Sequence, residues 1–139
     1  MLDYSKLLDA DGRLVDVPMI RGYPWPAGGR AFTLRLANPD GWTPGVEDGW
    51  TWTLLFDLRK AGGAAALTAD AAAAAIVGAG NIWLDLDFVV PADDSADAPG
   101  TGNATVFIDL MSDDGVADPS IWPEAHGSIL VRSAVGGVV

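Results

Sequence analysis

The sequence predicts an all-β protein, built as an antiparallel β-sandwich of the immunoglobulin-like or jelly-roll-like kind. Several segments alternate apolar and polar residues, which is typical of strands with one buried face. The chain has 17 glycines and 9 prolines, and nearly all of its acidic residues are aspartate, so turns are favoured over helix interiors. The strand–helix alternation of a parallel α/β fold is absent from the sequence.

Five segments carry the alternating pattern, and they follow one another at fairly regular spacing. In chain order they are Arg30–Leu36, Trp50–Arg59, Asn81–Val90, Thr105–Met111 and Ser128–Val135. In the second segment we expect Trp52 and Leu54 to face the core and Thr53 to face outward. A weaker strand is predicted near Leu14–Ile20, where Pro18 interrupts the pattern. Five or six short strands separated by turns favour a sandwich.

The connecting segments contain turn-forming residues. Asn38-Pro39-Asp40-Gly41 predicts a tight turn. Pro91–Gly102 and Ser112–His126 are rich in Asp, Pro and Gly, and we predict that both are exposed loops.

The alanine-rich stretch Ala61–Gly80 leaves two alternatives open. One is a short helix over 69–77 with Thr68 as its cap, since alanine has the highest helix propensity. The other is a strand that ends at Ala66–Thr68 and is followed by a loop.

The chain is long enough, at 139 residues, for one domain with its own core. We divide it into an N-terminal arm over 1–18, a sandwich domain over 19–135 and a C-terminal tail over 136–139. No apolar run reaches the ~18 residues of a membrane span. The first residues also lack the basic-then-apolar order of a secretion signal.

Charge and cysteine content exclude several function classes. Lys and Arg number 8 and Asp and Glu number 19, so the formal net charge is −11. We therefore expect neither nucleic acid nor anionic membrane as a partner. The chain has no cysteine, which excludes disulfides, thiolate catalysis and cysteine-based zinc sites.

Catalytic and metal-binding patterns are weak in this sequence. A single histidine, His126, cannot build a multi-histidine site, and we expect a structural role for it. Asp85 and Asp87 share one predicted strand face, and Asp109 is a candidate neighbour on another strand. Paired carboxylates serve glycoside hydrolysis or calcium binding, but a solvated outer face is the simpler interpretation in so acidic a chain.

Six tryptophans are many for this length. Trp25, Trp42 and Trp122 fall in connectors rich in proline or glycine. Three interpretations remain open: anchors of a protein–protein interface, platforms that stack on sugars, or side chains that fold back and cap the two ends of the sandwich.

Several short motifs also occur in a distinctive order. Ile20-Arg21-Gly22 precedes the first strong strand, Trp52–Arg59 closes on an arginine, and Asp113-Asp114-Gly115 precedes a last strand introduced by His126-Gly127-Ser128. In this order the chain resembles the N-terminal domain of baseplate upper proteins and related tail or fibre-anchoring proteins of tailed bacteriophages.

The resemblance implies a non-enzymatic structural protein of the virion, assembled in the host cytoplasm through protein–protein contacts in the tail, baseplate or neck. It implies other virion proteins as partners, together with copies of the same chain in a trimer or ring. No cofactor, metal or catalytic residue is expected. The candidate partner-contact residues are apolar positions of the arm and the tryptophans of the connectors: Leu2, Tyr4, Leu7, Leu8, Trp25, Trp42 and Trp122. The alternatives are a capsid decoration protein, or a carbohydrate-binding module that uses the loop tryptophans.

Overall fold

The computed structural model describes residues 17–26, 31–57, 67–99 and 102–134. Within these ranges seven strands form one sheet in the order β1-β7-β6-β3-β4-β5-β2. The strands are β1 (Met19–Ile20), β2 (Phe32–Ala37), β3 (Thr51–Asp57), β4 (Leu67–Val77), β5 (Trp83–Phe88), β6 (Ala104–Asp113) and β7 (Ser120–Arg132). A short helix α1 covers Ala92–Ser95, and 3₁₀ turns cover Glu47–Gly49 and Ala79–Asn81.

The sheet curls into two layers because β4 takes part in both. Residues 67–70 of β4 pair with β3, whereas residues 71–77 pair with β5. The register shifts between Ala71 and Ala73, and a bulge of this kind bends a strand. The all-β prediction is therefore confirmed. Its antiparallel character holds for every pair of strands in the described ranges except β1 and β7, which run parallel.

The structure overturns both alternatives for the alanine-rich stretch. Residues 69–77 are neither a helix nor a loop, because β4 continues as a strand to Val77. Helix propensity is a local preference, whereas this segment finds backbone partners on both β3 and β5. Ala69 is buried, and Ala71, Ala74 and Ile76 pack against the core. Tertiary pairing therefore decides the conformation here.

The second acidic loop is shorter than predicted. Strand β7 begins at Ser120, so the predicted loop Ser112–His126 shrinks to residues 114–119. Residues 122–125 of β7 lie opposite Leu110 of β6 alone, between the pairs Asp109–His126 and Met111–Ile121. Because of this irregularity, the alternation of apolar and polar residues does not reveal the first part of β7, although β6 and β7 pair on both sides of it.

The core lies between the two layers and is built from alternate residues of the strands. Trp25 joins the layers, with its ring centroid 5.4 Å from that of Phe32 on β2 and 5.9 Å from that of Phe56 on β3. The expected inward residues Trp52 and Leu54 are both buried. Thr53 lies on the outer side of the sheet as expected, opposite Met111, but it is buried there, and its hydroxyl donates to Asp70 Oδ1 at 2.7 Å.

The first acidic loop, predicted as exposed over Pro91–Gly102, instead carries α1 and three buried residues, Ser95, Ala98 and Pro99. Ser95 is fully buried and its Oγ accepts the N–H of Gly22 at 3.1 Å. The guanidinium of Arg21 donates to the carbonyls of Ala98 and Pro99, and also to that of Gly102. The segment after β1 thus fixes this loop against the sandwich. Of the predicted arm over 1–18, only Val17 and Pro18 lie within the described ranges. The predicted tail over 136–139 lies outside them, as does Val135, the last residue of the predicted domain.

The tight turn predicted at Asn38–Gly41 is present. The N–H of Gly41 donates to the carbonyl of Asn38 at 2.8 Å, and the side-chain oxygen of Asn38 accepts the N–H of Asp40 at 3.1 Å. Gly41 has a φ of 85°, and a Cβ at this position would lie 2.8 Å from the carbonyl oxygen of Gly80. Glycine is therefore required here for both backbone conformation and space.

We expect Gly41→Ala to lower the free energy of unfolding by about 2–3 kcal/mol, since it combines a left-handed backbone with a clash against backbone. Gly45→Ala is the matched control, because Gly45 has the same φ of 85° and open space around it. For the control we expect the free energy of unfolding to fall by about 1 kcal/mol. Urea denaturation of both variants measures the difference, and equal losses would contradict the role of the Gly80 contact.

Candidate functional site

Four tryptophans gather at one end of the sandwich and form what we call the tryptophan cluster: Trp42, Trp50, Trp52 and Trp122. Trp52 is its centre, with ring centroids 5.9 Å from Trp50 and 5.6 Å from Trp122. Trp50 and Trp52 are stacked, whereas Trp42 meets Trp52 edge-on at 6.3 Å. Both arrangements suit the charge distribution of aromatic rings.

Hydrogen bonds fix the orientation of these rings. The indole N–H of Trp52 donates to the carbonyl of Glu47 at 2.8 Å, and that of Trp42 donates to the carbonyl of Leu36 at 3.3 Å. The indole N–H of Trp122 donates to the hydroxyl of Ser112 at 2.8 Å. Ser112 is buried at the end of β6. The cluster is thus held by both layers and by the segment before β3.

A cavity of about 150 Å³ lies beside Trp50 and Trp122. Its polar lining comes from the end of β6, the loop 114–119 and the start of β7: Ser112, Asp114, Asp118 and Ser120. Among the described residues the lining contains no Lys, Arg or His. Indole faces and carboxylates both present negative charge, so the cavity combines two features that attract a cation.

The loop beside the cavity is stabilised by its own aspartates. Asp114 Oδ1 accepts the backbone N–H groups of Val116 and Ala117, each at 2.9 Å. These backbone hydrogen bonds lower the pKa of Asp114 below its ordinary value of 3.8. Asp113 Oδ1 likewise accepts the N–H of Gly115 at 2.8 Å. Asp114 is therefore ionised at neutral pH, and the loop has a defined shape.

The candidate partner-contact residues have different positions. Trp25 and Trp42 are only 1% and 6% exposed, so they serve the core and are not available at the surface. This corrects their assignment as contact residues and agrees with the alternative that loop tryptophans fold back over the sandwich. Trp122 is half-buried and lines the cavity. Leu2, Tyr4, Leu7 and Leu8 lie outside the described residues.

A second candidate surface lies on the outside of the β3-β6-β7 layer. We call it the outer apolar face, and its members are Leu55, Phe107, Met111, Ile121 and Leu130. Phe107, Ile121 and Leu130 are 41%, 48% and 39% exposed. Isolated exposed apolar residues are common, but a contiguous group is typical of an interaction surface.

The strand register makes this group contiguous. Met111 lies directly opposite Ile121 across the β6–β7 pair. Phe107 lies opposite Ser128, and Leu130 lies opposite Thr105, so Phe107 and Leu130 are diagonal neighbours. Diagonal neighbours on one face of a sheet are ~7–8 Å apart, which is within reach of long side chains. Leu55 of β3 lies opposite Asp109 and is the diagonal neighbour of both Phe107 and Met111, so the apolar residues run across three strands with Asp109 and His126 between the two pairs.

The carboxylates considered for catalysis have structural partners instead. Asp85 forms a two-point ion pair with Arg35 at 2.7 and 2.8 Å, and the Arg35 guanidinium lies 5.2 Å from the ring of Trp83. Asp87 Oδ1 accepts the hydroxyl of Thr33 at 2.7 Å. Both pairs join β2 to β5 on the outside of that layer.

Asp109 does not join Asp85 and Asp87. It lies on β6, which β3 and β4 separate from β5 in the sheet, and it faces His126 across the β6–β7 pair. His126 is exposed on the outside of β7. In the described ranges no group of three or more His, Cys, Asp or Glu side chains is placed to hold a metal ion.

Comparisons with known proteins identify no family for this chain. No protein-family model matches the chain, and no curated protein matches it. Among solved structures the chain is similar to the periplasmic chaperone SfaE, with 11% sequence identity and a TM-score of 0.32. The match covers 100% of this chain and 58% of that one.

No helix in the described ranges is long and apolar enough to cross a membrane.

Sequence reasoning missed the cavity because its two halves were considered separately. The spacing of the second segment puts Trp50 on the same face as Trp52, and Trp50 does pack against the core, but it precedes β3 and also lines the cavity. The aspartates of the loop 114–119 are predicted from the sequence only as part of an exposed acidic loop. The signal in the sequence is the closeness of Asp114 and Asp118 to Trp122, but only the register of β3, β6 and β7 brings Trp50 to the same place.

Proposed function

We propose that this chain is a non-enzymatic structural protein of a tailed-bacteriophage virion that assembles through protein–protein contacts in the tail, baseplate or neck. The outer apolar face is the observation that carries this proposal. It supplies the apolar centre that an interface between subunits needs. The order of the short motifs, which resembles that of tail and baseplate proteins, adds to it.

The charge of the chain suits such a role. A net charge of −11 opposes association through most of the surface and favours contact through the apolar face. Asp109 lies within that face, between Phe107 and Met111 on β6, and Asp57 lies opposite Phe107 on β3, so the face also carries acidic groups. A more basic virion protein would complement these carboxylates, and copies of the chain arranged as a trimer or ring would place the face against a neighbouring subunit.

Two other functions from the sequence remain to be distinguished. A capsid decoration protein would use the same face at another place in the virion. A carbohydrate-binding module was inferred from three loop tryptophans, and Trp25 and Trp42 are now seen to be buried. That alternative therefore depends on Trp122 and the cavity beside it.

Mass spectrometry of purified phage particles tests the virion role. We expect the chain among the particle proteins, at a copy number that is a multiple of three or of the ring symmetry. Its absence from intact particles would refute the proposal. Its recovery from empty heads without tails would place it with the decoration proteins.

A pair of variants tests whether the outer apolar face makes the contacts. We expect Phe107→Ser with Leu130→Ser to abolish incorporation into particles and to reduce self-association, measured by size-exclusion chromatography with light scattering. Val116→Ser is the matched control, because Val116 is 92% exposed on the loop 114–119 and is not one of the residues of the face. Incorporation of the double variant at the wild-type level would contradict the assigned face.

A further inference from the structure

The cavity beside Trp50 and Trp122 is a feature that the proposed assembly role does not use. We infer that this cavity binds an organic cation, namely a guanidinium or ammonium group. The inference concerns the cavity alone and does not depend on the virion role.

The walls of the cavity provide two kinds of attraction for a cation. Two indole rings line it, and tryptophan is the aromatic side chain that attracts cations most strongly. Asp114 and Asp118 line it as well, and both are exposed at its rim. Within the described part of the chain, Asp118 forms neither a hydrogen bond nor an ion pair, so its carboxylate is available to a ligand.

The geometry of the site is preorganised. Trp122 is oriented by its hydrogen bond to Ser112, and Trp50 by stacking on the buried Trp52. Asp114 is fixed by the N–H groups of Val116 and Ala117, which occupy one of its oxygens. A ligand therefore meets side chains that lose little further freedom on binding.

The size of the cavity selects the head group of a side chain over a larger ligand. Its volume of about 150 Å³ matches cavities that hold a single benzene-sized group. Sites for drug-sized molecules are larger, ~300–1,000 Å³. A planar guanidinium fits this space and stacks on indole while donating to carboxylate.

A neutral sugar is the competing occupant, and the lining favours it less. The indole N–H of Trp122 already donates to Ser112, which removes one donor that a sugar would use. No lysine or arginine among the described residues lines the cavity to balance its carboxylates. The uncompensated negative charge favours a cation over a neutral ring.

Indole signals in ¹H–¹⁵N NMR spectra of the full chain test the inference. The six tryptophans give six indole signals, so binding at the cavity is recognised by shifts of Trp50 and Trp122. The probes are N-acetyl-arginine amide, its uncharged analogue N-acetyl-citrulline amide, and tetramethylammonium. We expect the arginine probe to shift these two signals with a dissociation constant on the order of 1 mM, weakened by added salt. We expect the citrulline probe to bind at least fivefold more weakly.

The two cationic probes distinguish the source of the ligand. Preference for the arginine probe indicates a side chain of a partner protein, and preference for tetramethylammonium indicates a quaternary ammonium compound. Asp118→Asn should weaken binding of either cation about fivefold, because it removes one facing charge. Asp97→Asn is the matched control, since it removes the same charge from an exposed residue that does not line the cavity.

Three results would overturn the inference. The first is equal binding of the arginine and citrulline probes. The second is a shift of the Trp50 and Trp122 signals by galactose or N-acetylglucosamine that salt does not affect. The third is the absence of any shift at these two signals with 50-fold more cation than the expected dissociation constant, about 50 mM.

Discussion

Replacing Trp52 with alanine should lower the free energy of unfolding by about 3–5 kcal/mol, which is a large part of the 5–15 kcal/mol typical of a domain. Trp52 is 1% exposed and contacts the other three rings of the tryptophan cluster. Truncation leaves a cavity at the centre of the cluster and removes the donor to the carbonyl of Glu47. Urea unfolding followed by far-ultraviolet circular dichroism measures the loss without relying on tryptophan emission.

The control for this prediction is Trp83→Ala. Trp83 is a half-buried indole on the outside of β5, where it packs under the guanidinium of Arg35. We expect this change to lower the free energy of unfolding by about 1–2 kcal/mol. If Trp52→Ala fails to fold, Trp52→Phe keeps an apolar ring and should remain folded with an intermediate loss. Equal losses for Trp52→Ala and Trp83→Ala would show that the cluster is not part of the packed core.

Replacing Arg21 with alanine should lower the free energy of unfolding by about 2–4 kcal/mol. Arg21 is 6% exposed, and its guanidinium donates to the carbonyls of Ala98, Pro99 and Gly102. The buried charge is thus satisfied by backbone oxygens, and truncation leaves those oxygens without their donors. The contacts join the segment after β1 to the loop after α1, so the loss should also loosen that loop.

Two measurements separate this role from a general loss of stability. Amide exchange should accelerate over Ala96–Ala98 in the Arg21→Ala variant while the centre of β3 stays protected. Arg21→Lys keeps the charge but not the planar arrangement of N–H donors. We therefore expect a smaller loss in the free energy of unfolding than for Arg21→Ala. Arg132→Ala is the matched control, since among the described residues the Arg132 side chain makes one hydrogen bond, to the carbonyl of the adjacent Ser133, and we expect the free energy of unfolding to fall by less than about 1 kcal/mol. Unchanged exchange over Ala96–Ala98 in Arg21→Ala would contradict the anchoring role.

Where burial alternates regularly, the sequence predicted the fold well. Phe32, Leu34 and Leu36 of β2 are buried as their spacing indicates, and so are Leu84 and Leu86 of β5. These strands have one face on the core and one in solvent, so the period of two is visible in the residue types.

The failures come from long-range pairing that composition cannot show. Residues 69–77 are mostly alanine, whose local preference is helical, and they form a strand only because β3 and β5 both supply partners. The first part of β7 was missed because four of its residues lie opposite one residue of β6. Trp25 and Trp42 looked like surface residues because they follow proline or glycine, yet turns fold them back onto the core.

The two-layered fold depends on β4, which joins one layer of the sheet to the other. Nuclear Overhauser effects between backbone protons of the isotopically labelled chain test this most directly. We predict cross-strand effects from Ala69 to Leu54 of β3, and from Ala74 to Leu86 of β5, which is the pairing of a single strand shared between layers. A series of effects between residues three apart over 69–77, as in a helix, with no cross-strand effects to β3 or β5, would contradict it.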